Sequence, residues 1–148
     1  MIYIGSDYRG FKKKQFLIDF FKYKNYQFED MGAFEYVEGD DFNDPAIAVA
    51  KAVKAHPGSA GILLCGSAHG VTIQANRFKG IRAAHCGSVE SAKLAREHDA
   101  ANVLCLSAEL LEDSKAREIV MKFLTTRFKP LERRIKRIKR IDERGDYA

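Results

Sequence analysis

Cysteine is scarce, with three residues in a chain of 148. Cys65, Cys86 and Cys105 are odd in number, and a chain this long builds a core without disulfide staples. Their spacing is not that of a metal site, so no metal is expected, and reduced thiols of a cytoplasmic protein are. Long apolar runs are missing too: none approaches the roughly 20 residues that span a bilayer, so no membrane partner is expected. The N-terminus starts on a strand-like Ile2-Tyr3-Ile4 without the basic and apolar regions of a signal peptide. No internal repeat, low-complexity stretch or linker divides the sequence, which predicts one domain over residues 1–148.

What is present is an uneven charge. Residues 1–126 hold 16 Lys/Arg and 16 Asp/Glu, whereas residues 127–148 hold 9 basic and 4 acidic side chains, so the formal +5 belongs wholly to the C-terminal stretch. A basic pI therefore says nothing about nucleic-acid binding by the core. In that stretch Leu131, Ile135, Ile138 and Asp142 share one side of a predicted basic helix. Its isoleucines suit docking on a core or a partner better than lying on a duplex, and it lacks aromatic residues for stacking, so a nucleic-acid partner is set aside.

Upstream, short apolar runs alternate with segments of helical period. Strands are predicted at Ile2 to Gly5, Tyr26 to Met31, Gly61 to Cys65, Ile81 to Cys86 and Asn102 to Leu106. Helices are predicted over about 11–24, from Pro45 to Ala55, Val71 to Phe78 and Val89 to Glu97, with a long one through Ala116, Ile119, Val120 and Phe123. This βα series predicts an α/β fold, a doubly wound five-stranded parallel sheet in a Rossmann-like three-layer sandwich, followed by the basic helix. Ligands of such sheets sit beyond the carboxyl ends of the strands, here Ser6 to Gly10, Cys65 to Gly70 and His85 to Ser88.

The loop Cys65-Gly66-Ser67-Ala68-His69-Gly70 runs from a central strand into a helix. Gly66 and Gly70 permit positive φ and close backbone approach, and amides at a helix start stabilise an anion or a developing oxyanion. The loop lacks the lysine of a P-loop and the spacing of a dinucleotide fingerprint. Thiols at helix N-termini serve as bases or nucleophiles; a lone cysteine such as Cys65 is otherwise a small buried hydrophobe. His98, closing a helix, is a catalyst or a surface charge. Asp7 meets a ligand hydroxyl or caps the next helix. Arg133 and Arg137, four apart, share a helical face and can clamp a phosphate, or are members of a solvated basic face.

From Gly61 to Ala84, and in Gly5 to Phe11, Leu94 to Leu104 and Glu132 to Ile138, the sequence resembles the type B ribose-5-phosphate isomerases and the related galactose-6-phosphate isomerases. The resemblance implies aldose–ketose isomerisation of a sugar phosphate, most simply ribose 5-phosphate to ribulose 5-phosphate in the pentose phosphate pathway, without metal or organic cofactor. It implies that Cys65 moves a proton through an enediolate with help from Ser67, and that His98 opens the sugar ring. Asp7 and the backbone around Gly66 to Gly70 would then contact substrate, and Arg133 and Arg137 its phosphate. It also implies a homodimer, with tetramers as a further assembly, whose sites take the cysteine loop from one chain and the histidine and arginines from the other. Typical members carry histidine at Tyr8, glycine at Ala68, asparagine at Asp99, arginine at Glu109 and histidine at Arg134. By this resemblance Tyr8, Asp99 and Glu109 touch the phosphate or enediolate neighbourhood, which suggests a reshaped anion pocket in which Arg9 or Arg134 compensates. The alternative is a substrate-shifted or non-catalytic sugar-phosphate-binding relative.

Overall fold

The structure, a computed structural model, describes residues 1–143; the end of the basic tail, 144–148, lies outside the described residues. Five strands, β1 (Ile2–Ser6), β2 (Phe28–Asp30), β3 (Ala60–Cys65), β4 (Ala83–His85) and β5 (Val103–Ser107), form one sheet in the order β2-β1-β3-β5-β4. Every pairing is parallel, as the βα alternation predicts. The inner strands β1 and β5 are buried at every residue, and β3 at all but its first. That is why they read as continuous apolar runs rather than alternating ones.

The helices α1 (Phe11–Tyr23), α2 (Asn43–Ala55), α3 (His69–Ala75), α4 (Val89–Asp99) and α5 (Asp113–Thr125) fill two layers. Successive strand residues face opposite sides. Ile62 and Leu64 join Leu17, Phe21, Ile119 and Phe123 in one core, under α1 and α5. Leu63 and Cys65 join Val49, Val53, Val71 and Ala75 in the other, under α2 and α3. Pro45 falls in the first turn of α2, where no backbone donor is required.

The edges of the sheet differ from the sequence reading. The predicted strands over 26–31 and 81–86 shrink to three residues each. Each has only one neighbour, so pairing lapses wherever flanking residues bond elsewhere: the amide of Tyr26 donates to Phe21 O, and that of Ile81 to Phe78 O. Short edges also leave little unpaired backbone for unwanted association.

The basic helix α6 (Glu132–Asp142) has no buried residue; Leu131, Ile135 and Ile141 are exposed. Ile135 and Ile141 therefore do not dock on the core of this chain, and Ile138 is only half-buried. Both carboxylate oxygens of Asp142 accept from Arg82 Nη1, at 3.0 and 2.9 Å, pinning its far end. Near its start Lys129 donates its amide to Glu97 O at 3.1 Å.

Candidate active site

Parallel strands put all their carboxyl ends on one edge, and β3 brings Cys65 there. Its neighbours are set by the ends of β1 and β5. The Asp7 amide donates to Leu64 O at 3.4 Å, and the amide of Ala108 donates to Cys65 O at 2.9 Å. Gly66 O accepts from the Ser107 hydroxyl at 2.6 Å and from the Glu109 amide at 3.1 Å. The first two carbonyls of the loop are thus turned toward β5. The amides of Ser67, Ala68 and Gly70 have no acceptor among the described residues. These are orphan donors at the start of α3, suited to an anion.

The glycines act through space rather than through φ. Neither Gly66 nor Gly70 has a positive φ, which corrects half of the sequence expectation; the left-handed residue is Ala68, at φ 73°. A Cβ on Gly70 would lie 2.8 Å from the Phe42 ring, and one on Gly66 would lie 2.8 Å from Glu109 Oε1 and 2.9 Å from Arg9 Cδ. Ala68, fully buried, caps α3 through its backbone, accepting from Thr72 Oγ1 at 2.6 Å.

Asp7 is buried beside this loop, and its Oδ1 accepts from the Gly10 amide at 3.1 Å. Burial, reinforced by the charge of Asp40, lifts its carboxyl above the ordinary value, against the pull of the Gly10 and Arg9 amides. Asp7 therefore shapes the turn into α1 without being its N-cap, which is Gly10. Ser67 is exposed at the loop tip, its Oγ accepting from the His69 amide at 3.4 Å. The Cys105 thiol, in the same core as Cys65 but one pleat deeper, is pushed up to about 12 by burial and stays protonated. Cys86 is raised by burial as well.

His98 lies elsewhere. The helix α4 starts at the carboxyl edge after β4 and runs back antiparallel to the strands. Its eleven residues carry it about 15 Å, the depth of the sheet, so His98 emerges at the amino edge. Arg133 and Arg137 join it there, because α6 begins against the end of α4: Arg134 Nη1 donates to Glu97 O at 3.3 Å. The sequence-predicted residues thus form two groups. Asp7, Cys65, Gly66, Ser67 and Gly70 share the carboxyl edge, while His98, Arg133 and Arg137 share the amino edge. One chain does not join them. Arg134 is spent on the carbonyls of Glu97 and Lys129.

Three contacts were not foreseen, although the sequence had singled out Tyr8, Arg9 and Glu109. Arg9 Nη1 donates to Glu109 Oε1 at 2.6 Å across 100 residues of chain. Tyr8 turns its amide to Asp40 Oδ1 at 2.8 Å and its ring to Tyr36, so the segment between β2 and α2 walls the loop. His85 meets His69 edge to face, with ring centroids 5.7 Å apart, and burial followed by the His69 charge lowers its basicity. A broad groove lined by Phe78, Ile81, Ala84, Ala95 and Ile141 lies near Asp99, away from Cys65.

A doubly wound sheet with a thiol and orphan amides at its carboxyl edge defines an α/β protein equipped for chemistry on an anionic substrate. The model of the ribose/galactose isomerase family matches residues 2–141, and the chain belongs to that family. It is 41% identical over 127 residues to a probable ribose-5-phosphate isomerase B of Mycoplasma pneumoniae, covering 86% of this chain and 84% of that protein. With the ribose-5-phosphate isomerase B of Mycolicibacterium paratuberculosis it shares 39% identity, over 99% of this chain and 90% of that one. The crystal structure of a ribose 5-phosphate isomerase from Thermotoga maritima superposes with a TM-score of 0.91 at 38% identity, covering 95% and 96% of the two chains. That of the Mycoplasma genitalium enzyme with bound ribulose-5-phosphate gives 0.91 at 39%, covering 95% and 93%. The chain is accordingly an aldose–ketose isomerase.

Proposed function

We propose that this enzyme interconverts ribose 5-phosphate and ribulose 5-phosphate, and that it does so as a homodimer whose two sites each draw on both chains. The observation that carries the reading is the division of the site residues between opposite edges of the sheet. A twofold axis that sets the carboxyl edge of one copy against the amino edge of the other completes two identical sites at once.

In this reading His98 of one copy helps open the sugar ring, and Arg133 and Arg137 of the same copy hold the phosphate. In the other copy, the Cys65 thiolate removes the proton from C2 of the open aldose. The electron pair moves to form the enediolate, whose negative oxygen is met by the amides of Ser67, Ala68 and Gly70. Cys65 then returns the proton to C1, and Ser67 assists transfer between the two oxygens. Binding at the remote phosphate aligns C1 and C2 with the thiol, so that binding energy serves the proton transfer. Three buried free thiols support a reducing, cytoplasmic setting.

The test is an assay of ribose 5-phosphate conversion alongside other aldose phosphates. Ribose 5-phosphate should be turned over fastest, and Cys65→Ala should abolish turnover, by about a thousandfold or more, while leaving the fold intact. Preference for another sugar phosphate would replace the substrate. Full activity in Cys65→Ala would remove the base.

A further inference from the structure

The ion pair between Arg9 and Glu109 lies directly on the cysteine loop. A Cβ on Gly66 would touch both of its members, so the pair rests on the bare Cα of the first loop glycine. Three contacts fix the guanidinium. Its Nη1 donates to Glu109 Oε1 at 2.6 Å, its Nε donates to the Tyr8 hydroxyl at 3.1 Å, and its carbon sits 5.7 Å from the centre of the Tyr8 ring. Among the described residues Nη2 has no acceptor, and about half of each side chain of the pair remains exposed, 52% and 53%.

The position of the pair decides what it can do. Glu109 follows β5, and its amide donates to Gly66 O at 3.1 Å. Arg9 follows Asp7 by two residues. The pair therefore bridges the ends of β1 and β5 over Gly66 in the loop after β3, the loop that carries the orphan amides. An exposed ion pair contributes little to stability, so its value to the fold does not account for a guanidinium held by two side chains at this place. With Nε and Nη1 engaged and Nη2 open, the guanidinium is held in place to donate to a phosphate or carboxylate oxygen and loses little freedom on binding.

We propose that Arg9 binds the anionic group of the sugar-phosphate substrate through its open Nη2, and that Glu109 acts as a positioning residue that holds the guanidinium over the loop. This rests on the sugar-phosphate reading above and adds to it a cation from the cysteine-bearing chain. Glu109 has two opposed effects. While Arg9 is present, it orients the guanidinium. Once Arg9 is gone, it is a bare negative charge facing an anion.

A double-mutant cycle of Arg9→Ala and Glu109→Ala tests this, read as KM and kcat for ribose 5-phosphate. Arg9→Ala should raise KM about tenfold, the worth of one charge-assisted bond, with kcat within about threefold. Arg9→Lys should recover only part of the loss, because an ammonium lacks the planar guanidinium geometry. In the wild-type background Glu109→Ala should raise KM, by about threefold. In the Arg9→Ala background it should lower KM. That reversal of sign is not produced by a structural defect.

An unchanged KM in Arg9→Ala, or a Glu109→Ala effect of the same direction in both backgrounds, overturns the proposal. If the wild type fails to turn over ribose 5-phosphate, the isomerisation reading of that sugar fails on its own. The same cycle is then read as calorimetric affinity for inorganic phosphate. Weaker binding by Arg9→Ala supports the anion site, and equal binding overturns it.

Discussion

The two edges of the sheet are built differently. At the carboxyl edge Cys65, Asp7 and Ser107 are buried, and the loop carbonyls are tied to β5. At the amino edge Arg133 and Arg137 are exposed on a helix without one buried residue. The first group is held in place by the core, which suits the proposed role, since donors must be aimed before charge develops. The second is a set of cations whose placement the core does not fix. On the proposed reading, the proton-transfer half of the site is intrinsic to the chain, and the phosphate half would be completed by a second copy.

The largest effect that tests this comparison comes from mixing two inactive variants. Cys65→Ala and His98→Asn should each be nearly inactive alone. Co-refolded in equal amounts, they should regain about a quarter of wild-type activity. Half of the dimers are then mixed, and in each of these one of two sites holds both intact residues. The readout is turnover before and after mixing. A mixture as dead as its parents would place both residues of a site in one chain and end the two-edge account.

Stability should separate the edges next. Lys14, fully buried on α1, donates its Nζ to Asp30 Oδ1 at 2.8 Å and to the carbonyl of Ala33, fastening α1 to the end of β2. Lys14→Ala leaves that carboxylate and carbonyl without their cation and should cost about 3 kcal/mol. Arg134→Ala, at the amino edge, removes two long contacts of 3.3 Å and should cost less than about 1 kcal/mol. Urea denaturation monitored by circular dichroism measures both. Equal losses would mean that the amino edge is as firmly built as the carboxyl edge.

Much of this was legible in the sequence because it is local or periodic. The buried run Gly61 to Cys65 announced a central strand, and the glycines after it announced a close approach at the strand end. The polarity of α4, which sends His98 away from Cys65, follows from the same alternation once the strands are parallel. Contacts between distant segments were not legible. Nothing in Ser-Asp-Tyr-Arg tells that Arg9 meets Glu109, or that Phe42 rather than a backbone constraint demands Gly70. The φ at Ala68 was not visible in the alanine itself; the glycine that typical members carry there was the only sign of a left-handed conformation.

A smaller, pH-dependent effect should appear at Asp7. Its carboxyl is raised in the fold, chiefly by burial. The folded state thus favours the protonated acid, and stability is lost as pH rises through the folded value. Asp7→Asn keeps an oxygen for the Gly10 amide and removes that loss. It should melt higher than wild type at neutral pH and match it below the ordinary carboxylate range, while its turnover falls. Melting curves across pH 3 to 8 decide it; a lower melting point at pH 7 would show that the charged form of Asp7 supports the fold, and a carboxylate there would then be structural rather than poised for substrate.

The smallest effect concerns Ala68, and it decides whether the loop is impaired. An alanine at φ 73° is strained by about 1 kcal/mol relative to glycine. Its methyl, however, is fully buried among Cys65, Val71 and Ala75, and one buried carbon contributes about 0.8 kcal/mol. The two nearly cancel, so Ala68→Gly should leave stability within about 0.5 kcal/mol of wild type and turnover within about twofold. A clear gain in stability would show that the methyl packs poorly and that the loop carries uncompensated strain. A clear gain in turnover would show that the strain displaces the loop amides proposed to meet the enediolate. Near-neutrality in both would mean that the loop has absorbed an alanine at this position without cost.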